Sequence, residues 1–306
     1  MNISFPSASC DDIAAPSILV QDTKRRLIVA DLHFGIESEL NSKGIHIPSQ
    51  AVERKTRLLD LIKKTEPEHL ILLGDVKHRI PGTSRQEFSE LPFLFEEIRK
   101  HVPITVCLGN HDPGLEQFLY PHEIAPNTGI MIDKISYMHG HTRPSPDLCG
   151  TLIICGHHHP TIGLYDGIGI GLRTPCFVLA KLNDSIWDWN TENIEKTKKG
   201  RLRLEKEKQT KQHEMKPDSE QKERESSVDA DGEKTALIPK DGQITRVLIM
   251  PAFNECVGYD LRQTVLRPFS PISRAIEIET AEVLLLDGTY AGDLQSMIRT
   301  LQDPSR

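Results

Sequence analysis

The feature that most constrains this chain is a short apolar run that ends abruptly in three polar residues. Residues 104–108 are mostly apolar or β-branched and lie between a proline and a glycine, a pattern typical of a buried β-strand. Asn110, His111 and Asp112 follow at the strand exit. Loops at strand ends commonly carry metal-binding or reacting groups on a rigid support, so this pattern indicates a functional site. Similar motifs end four other apolar runs, at residues 30–33, 74–75, 138–141 and 156–159.

The first part of the chain alternates between strand-like and helix-like patterns. Apolar runs at 17–20 and 27–30 predict a hairpin, and an apolar repeat of helical spacing over 48–66 precedes a predicted strand at 69–73. A second predicted helix near 88–101 leads into the next strand. This order predicts βαβ units and a parallel sheet. The polar motifs of these strands are therefore expected at one carboxyl edge.

Shorter apolar pieces follow and predict a second sheet packed on the first. They span residues 130–132, 135–138, 151–155, 161–165, 177–182, 247–251 and 283–287. Residues 191–242 are instead rich in Lys, Glu, Gln, Ser and Asp, which predicts a disordered or loosely helical insertion whose simplest role is that of a solvated segment. Because apolar runs resume after it, we expect a single domain over 1–306 that this insertion interrupts.

Composition restricts the class of protein. The formal net charge of -7 argues against a uniformly basic nucleic-acid binder but leaves room for a local basic groove. The six cysteines form no CxxC pair and are interpreted as reduced, buried small hydrophobes. The sequence shows neither a secretory signal nor a run of about 20 apolar residues that could cross a bilayer. These observations predict a soluble, cytoplasmic protein with no membrane association.

The polar motifs supply a set of metal-ligand candidates. In an extended chain, residues i and i+2 point to the same side, so Asp31 with His33, and His157 with His159, can each approach one ion. A single such pair is more often a solvated strand end, and a lone histidine is usually a core or surface residue. Histidines at several strand exits favour a metal site. The candidate ligands are Asp31, His33, Asp75, Asn110, His139, His157 and His159.

Seven ligands exceed the needs of one ion and suit two ions bridged by one carboxylate. Oxygen and nitrogen donors without thiolate favour Mn, Fe, Zn, Co or Ni over Mg or Ca. Two ions roughly 3.5–4 Å apart can hold a bridging hydroxide and neutralise phosphate oxygens, which predicts hydrolysis of a phosphate ester. His111 is the candidate proton donor to the leaving oxygen or stabiliser of transition-state charge, and Asp112 is the candidate that orients its imidazole.

Together the five motifs resemble the five-block pattern of the calcineurin-like metallophosphoesterases. The resemblance implies a four-layer αββα sandwich, in which two mixed β-sheets are flanked by helices. It also implies that His111 faces the phosphate, and that His139 is a ligand and His141 a neighbour, because the fourth block places the ligand before the glycine. In the implied arrangement one ion takes Asp31, His33 and His159, the other takes Asn110, His139 and His157, and Asp75 bridges.

Further segments resemble a prokaryotic, chiefly archaeal branch related to DNA-ligase-associated phosphoesterases. They are Asp31-Leu-His-Phe-Gly35, Gly44-Ile-His-Ile-Pro48, Gly74-Asp-Val-Lys-His78 and Met250-Pro-Ala-Phe-Asn254. This branch implies a manganese-favouring phosphodiesterase or nuclease. The family's Ser/Thr protein phosphatases carry Gly-Asp-x-x-Asp-Arg-Gly, whereas His78 and Ile80 stand at two of those positions here, which disfavours that activity. Arg79 keeps the arginine position and is a candidate phosphate contact beside Asn110 and His111, or else a solvated loop residue.

Two classes of function remain at this point. The first is a two-metal phosphodiesterase acting on a phosphodiester, with DNA and RNA among the candidate substrates; the second is a catalytically silent interaction module with the same fold. A nucleic-acid substrate would require a basic groove. Residues that are candidates for it are Lys24, Arg25, Arg26, Lys77, Arg79, Arg143 and Arg173. The sequence leaves the protein partners and the oligomeric state open.

Overall fold

The computed structural model describes residues 2–6, 14–165, 171–187 and 244–302; the predicted insertion at 191–242 lies outside them. A six-stranded sheet contains β1 to β6 in chain order. Its first three strands are antiparallel, and β3 to β6 are parallel. The strands are β1 (Asn2–Ser4), β2 (Ser17–Gln21), β3 (Arg25–Val29), β4 (His69–Leu72), β5 (Ile104–Cys107) and β6 (Ile124–Ala125).

A seven-stranded sheet has the order β16-β15-β12-β13-β9-β8-β7. Its strands β13, β9 and β8 are parallel to one another, and its other neighbouring pairs are antiparallel. The strands are β7 (Ile130–Ile132), β8 (Ile135–Met138), β9 (Leu152–Cys155), β12 (Phe177–Lys181), β13 (Arg246–Ile249), β15 (Glu282–Leu284) and β16 (Tyr290–Asp293). The runs near 247 and 283 therefore join this second sheet, as expected.

One predicted strand belongs elsewhere. The run at 161–165 lies in β10 (Pro160–Tyr165), which pairs with β11 (Gly171–Pro175) and β14 (Tyr259–Asp260) in a separate three-stranded sheet. The prediction that it joins the second sheet is wrong, because its backbone groups pair with β11 and β14 instead.

The helices cover the outer faces of the sheets. They are α1 (Ile36–Ser42), α2 (Ala51–Thr65), α3 (Arg85–Arg99), α4 (Leu261–Leu266), α5 (Pro271–Ala275) and α6 (Leu294–Gln302), with 3-10 turns at Leu115–Phe118, Pro121–Glu123, Pro146–Leu148, Asp184–Ile186 and Ile278–Thr280. Helix α3 starts earlier than predicted because Ser84 and Glu87 form a capping box at its N-terminus. No helix of the described residues is long and apolar enough to cross a membrane.

Alternating side chains divide the core into three layers. In β3, Leu27 and Val29 pack with α2 and α3, whereas Ile28 packs toward the second sheet against residues such as Ile154. In β9, the neighbouring Ile153 faces the third layer, which α4, α5 and α6 cover. The order is helices, sheet, sheet, helices, which confirms the expected αββα sandwich.

The cysteines largely follow the prediction. The four at 107, 149, 155 and 176 are buried free thiols. Cys256 is also a free thiol but is exposed, so the prediction of a buried residue is wrong there. Its loop follows the strand β13 and carries its side chain to the surface. Cys10 lies outside the described residues.

Candidate metal centre

The carboxyl ends of parallel strands from both sheets meet at one place. Asp31 follows β3 and Asp75 follows β4, and the two loops are joined where the Asp31 N–H donates to Gly74 O (3.1 Å) and the His33 N–H donates to Asp75 O (2.8 Å). From the second sheet, His139 follows β8 and the motif with His157 follows β9. The fold therefore brings together the seven residues that the sequence predicted as metal ligands.

The backbone of these loops is unusual. Five of the seven have a left-handed conformation, namely Asp31 (φ 56°), His33 (φ 44°), Asp75 (φ 47°), His157 (φ 72°) and His159 (φ 42°). Only two other non-glycine residues of the described part, Glu66 and Asp133, share it. Such residues are uncommon and cost of order 1–3 kcal/mol each, so they persist where surrounding structure holds them and cluster at functional sites.

The donor atoms form two groups that share one carboxylate. The first contains Asp31, His33, Asp75 and His159, all buried, with His159 Nε2 lying 3.3 Å from both Asp31 Oδ1 and His33 Nε2. The second contains Asp75, His139 and His157. In each group the donor atoms lie within 4.8 Å of one another. Asp75 is thus placed between two potential cation sites.

Asn110 lies beside His139 of the second group. His139 Nε2 lies 3.4 Å from Asp75 Oδ2 and 3.2 Å from Asn110 Oδ1. Its Nδ1 lies 2.7 Å from Leu73 O, so Nδ1 donates a proton to that carbonyl and Nε2 is directed at the centre. A neutral ring held in this tautomer has the lone pair that a metal ion requires.

The charges of the cluster favour a cation. Burial alone would raise the pKa of the Asp75 carboxyl, but the charges of His139, His33 and His111 hold it well below its usual range. Burial lowers the pKa of His157 to about 2, which keeps that ring neutral. Burial also opposes protonation of His139, yet the carboxylates of Asp75 and Asp31 raise its pKa to about 9. Without an ion His139 therefore carries a proton that a metal ion would displace, while the ionised carboxylates and the neutral His157 ring already have the forms that bind divalent ions.

His78 is a part of the site that the sequence analysis missed. Its Nδ1 lies 3.1 Å from His33 Nδ1, its ring stacks on His111 with centroids 5.2 Å apart, and its Nε2 lies 2.9 Å from Glu39 Oε2. The main-chain oxygen of His78 also accepts a hydrogen bond from His111 Nδ1. The sequence does contain a signal for this role, because His78 stands where the protein phosphatases of the family carry an aspartate in the second motif. That departure from the motif argues against phosphatase activity and also marks His78 as a residue near the centre.

Asp112 has different partners from those expected. The carboxylate is buried and accepts hydrogen bonds from the backbone N–H groups of Val76 (2.9 Å), Lys77 (3.2 Å) and Gly109 (2.7 Å). The Asp112 carboxylate thus joins the loops after β4 and β5. The partner of the His111 imidazole is the carbonyl of His78 and not Asp112. The prediction that Asp112 orients that imidazole is corrected, because its oxygens bind backbone donors.

The structure also limits the proposed basic groove. Lys77 is fully buried and donates to the carbonyls of Arg79 (2.5 Å) and Gly82 (2.8 Å), so it cannot reach a ligand. Arg26 is buried in ion pairs with Asp22 and Asp133 at the start of β3. Lys24 and Arg25 belong to the same end of that strand, opposite to the edge that carries Asp31.

Three candidate arginines lie at the surface. Arg79 and Arg143 are exposed, and Arg173 is exposed with Nη2 4.0 Å from Asp260 Oδ2. Arg79 follows Asp75 by four residues in the sequence, and its backbone N–H donates to Glu87 Oε1 at 2.6 Å. These arginines are the part of the predicted groove that stays available to solvent.

Two buried polar residues, Asn254 and His158, support the loops that carry the candidate ligands. The side-chain amide of Asn254 donates to Leu32 O (3.0 Å) and His33 O (3.2 Å). His158 turns away from the centre; its Nδ1 lies 2.9 Å from Gly156 O, and its Nε2 lies 2.7 Å from the hydroxyl of Ser270. Residues after the predicted insertion thus fix the loops after β3 and β9.

Comparison with known proteins agrees with this geometry. Residues 24–170 match the family model described as calcineurin-like phosphoesterase, and this segment contains all five motifs. A comparison with curated protein sequences found no match.

The nuclease MPE from Pseudomonas putida is a similar solved structure, with 17% sequence identity, a TM-score of 0.44 and coverage of 94% of this chain and 98% of that chain. The phosphoesterase Yfce from E. coli has 20% identity, a TM-score of 0.30 and coverage of 46% of this chain and 74% of that chain. The protein of unknown function AQ665 from Aquifex aeolicus has 19% identity, a TM-score of 0.30 and coverage of 47% of this chain and 81% of that chain. The family match and the αββα architecture agree with each other. Over residues 24–170, the chain therefore matches the calcineurin-like phosphoesterase family.

Proposed function

We propose that this protein is a metal-dependent phosphodiesterase or nuclease with two divalent ions. The observation that carries the proposal is the pair of donor groups that share Asp75. In this assignment Asp31, His33 and His159 would hold one ion, Asn110, His139 and His157 would hold the other, and Asp75 would be shared between them. When bound, two such ions neutralise phosphate oxygens and activate water for in-line attack.

His111 is the proposed catalytic residue. Its ring is only partly buried, with 25% of the side chain exposed, and Nε2 lies 4.0 Å from Asp75 Oδ2. Because Nδ1 donates to the carbonyl of His78, Nε2 is the atom that faces a substrate. A ring fixed in this way can stabilise charge on the phosphate or give a proton to the leaving oxygen.

The charge of the site supports a diester over a monoester. Within the described residues, no lysine or arginine forms an ion pair with Asp31 or Asp75, and Lys77 is committed to backbone carbonyls. A phosphomonoester dianion carries one more negative charge than a diester, and apart from the two ions no lysine or arginine of the described residues is paired with this centre to neutralise it. The motif resemblance to the branch related to DNA-ligase-associated phosphoesterases supports the same substrate class and a preference for Mn²⁺. The free thiols are in keeping with the proposed cytoplasmic location.

The test uses metal-stripped protein reloaded with Mn²⁺, with Fe²⁺, Zn²⁺, Co²⁺ and Ni²⁺ for comparison. Bound ions are counted, and hydrolysis is measured on an aryl phosphodiester, an aryl phosphomonoester and single-stranded DNA. We expect about two ions for each chain and faster cleavage of the diester. His111→Ala should keep both ions and lose most of the activity, by roughly 100-fold or more.

Other outcomes would replace the proposal. Two bound ions without turnover of any phosphate ester would favour the catalytically silent interaction module. Failure to bind ions at all would refute the assignment of the seven ligands. A higher rate on the monoester would contradict the argument from charge.

A further inference from the structure

Two exposed aromatic rings lie directly beside the candidate metal ligands. The Tyr259 ring stacks on His159 with centroids 5.6 Å apart and an interplanar angle of 18°. The Phe269 ring lies 5.3 Å from the ring of His157. The two aromatic rings are 5.9 Å apart, so they form one continuous rim, which we call the aromatic rim. Both residues lie outside the segment that matches the family model.

Hydrogen bonds anchor the backbone that carries the aromatic rim. Tyr259 is fixed in β14, where its backbone N–H donates to His159 O at 2.8 Å. Phe269 precedes Ser270, which caps helix α5 and whose hydroxyl contacts His158. The loop that carries the candidate ligands therefore also sets the position of both aromatic residues.

Burial of apolar area does not explain the rim. Tyr259 is 50% exposed and Phe269 is 44% exposed, although the residue that follows each of them, Asp260 and Ser270, is buried. A ring that served only to cover the histidines would gain most by being buried against them. Aromatic rings that stay exposed at a site for phosphate esters are typical of surfaces on which nucleic-acid bases stack.

We propose that the aromatic rim binds a nucleobase next to the scissile phosphate, so that the preferred substrate is a single-stranded nucleic acid. The inference rests on the proposed phosphodiesterase function for its phosphate. A single-stranded base is free to leave its neighbours and stack on Tyr259 or Phe269 while its own phosphate reaches the metal centre. Stacking is tolerant of sequence because every base has a π-face, so little sequence preference is expected.

The experiment compares a short oligothymidylate with the same strand carrying abasic tetrahydrofuran residues, which keep the phosphates and remove the bases. Binding is measured by fluorescence anisotropy on the Mn²⁺-loaded His111→Ala protein, which should cleave slowly, and KM and kcat are measured on the Mn²⁺-loaded parent protein. We expect binding at least about tenfold tighter with bases than without, a ratio that salt changes little because both strands carry the same charge.

Variants test whether the rim causes this ratio. Tyr259→Leu with Phe269→Leu keeps apolar bulk and should bring the two strands to within about twofold of each other, mainly through KM. Tyr259→Trp should retain the ratio, which separates stacking from a loss of folding. Phe93→Ala, at an exposed ring on α3, is the matched control and should also retain it.

The outcomes separate this inference from the proposed function. Equal binding of the two strands by the unmodified protein, or an unchanged ratio in the leucine variant, would refute the base-stacking role even if diesters are cleaved. If the strand with bases binds more tightly, the leucine variant loses this difference and no strand is cleaved, the base-stacking role would be supported and the proposed enzyme activity refuted. Weak binding of both strands together with a stable complex with another protein would identify the rim as a protein-binding surface and overturn the proposal.

Discussion

The carboxylate of Asp31 accepts a hydrogen bond from the backbone N–H of His157, with distances of 3.2 Å to Oδ1 and 3.0 Å to Oδ2. Asp31 follows a strand of the first sheet and His157 follows a strand of the second. One side chain therefore serves both as a candidate metal ligand and as a bond between the two sheets.

This double role predicts that two substitutions of Asp31 will differ. Asp31→Asn keeps an oxygen acceptor for the His157 N–H and tolerates the left-handed backbone, whereas Asp31→Ala does neither. Both variants should lose bound metal and activity. Only the alanine variant should also unfold more easily without metal, by about 1–3 kcal/mol, in denaturant titrations. Equal stability of the two variants would argue that the contact with His157 adds nothing.

Gly109 is expected to be required because Asp75 occupies the space of a side chain. A Cβ built at Gly109 would overlap the backbone nitrogen and Oδ1 of Asp75. Gly109→Ala should therefore displace the shared carboxylate and lower metal occupancy and diesterase activity together, by more than about 10-fold. Gly44→Asn is a suitable control, since a Cβ there meets nothing within 4 Å and Asn tolerates a left-handed backbone. Normal metal content in Gly109→Ala would contradict the prediction.

Glu39 should act on catalysis through His78. Its carboxylate contacts both His78 and Lys43, so the two partners can be removed separately. Glu39→Gln should loosen the stack of His78 on His111 and lower kcat by roughly 10-fold with two ions still bound. Lys43→Gln removes the exposed partner and should leave kcat unchanged. A similar loss in both variants would show that the charge of Glu39, and not its contact with His78, matters.

The buried ion pair of Glu37 and Arg54 should make stability depend on pH. Burial would raise the pKa of Glu37, but hydrogen bonds from the backbone and Arg54 lower it overall. The stability that it contributes is present above the unfolded pKa of about 4.3 and is lost as pH falls through the lower folded value. Arg54→Met leaves this carboxylate unpaired and should cost about 3–5 kcal/mol at pH 7.

The cost of Arg54→Met should shrink as pH falls below about 4.3 and should disappear only below the lower folded pKa, where Glu37 is protonated in the parent protein as well. Urea titrations across this pH range measure it. Lys100→Met breaks an exposed ion pair with Glu97 and should change little at any pH. A cost that stays constant down to low pH would contradict the role of the Glu37 charge.

The sequence predicted the position of the loops with the candidate ligands because their local pattern is strong. Apolar strands with abrupt polar exits define β3, β4, β5, β8 and β9, and parallel pairing then brings the exits together. The same reasoning gave Asp112 the wrong partner, since a carboxylate beside a histidine in sequence can turn to backbone donors from a neighbouring loop. His78 was missed because its contacts with Glu39 and His33 cross between loops.

The later part of the chain was harder to predict for a different reason. Helices α4 and α5 have six and five residues, too few for a helical repeat to show. The strand β14 has two residues, yet it places Tyr259 on His159. The charge of a lysine also says nothing of its burial, which is why Lys77 was wrongly counted among groove candidates.

The left-handed backbone at five candidate ligands affects how this protein would change under selection for stability. At the three histidines among them, His33, His157 and His159, glycine or asparagine would suit the backbone better than the residue present, so backbone strain alone would favour their replacement. A variant such as His157→Gly could therefore fold as well as the parent while losing a ligand. Selection in the laboratory for heat resistance without a screen for activity should drift toward proteins that keep the sandwich and have lost their chemistry.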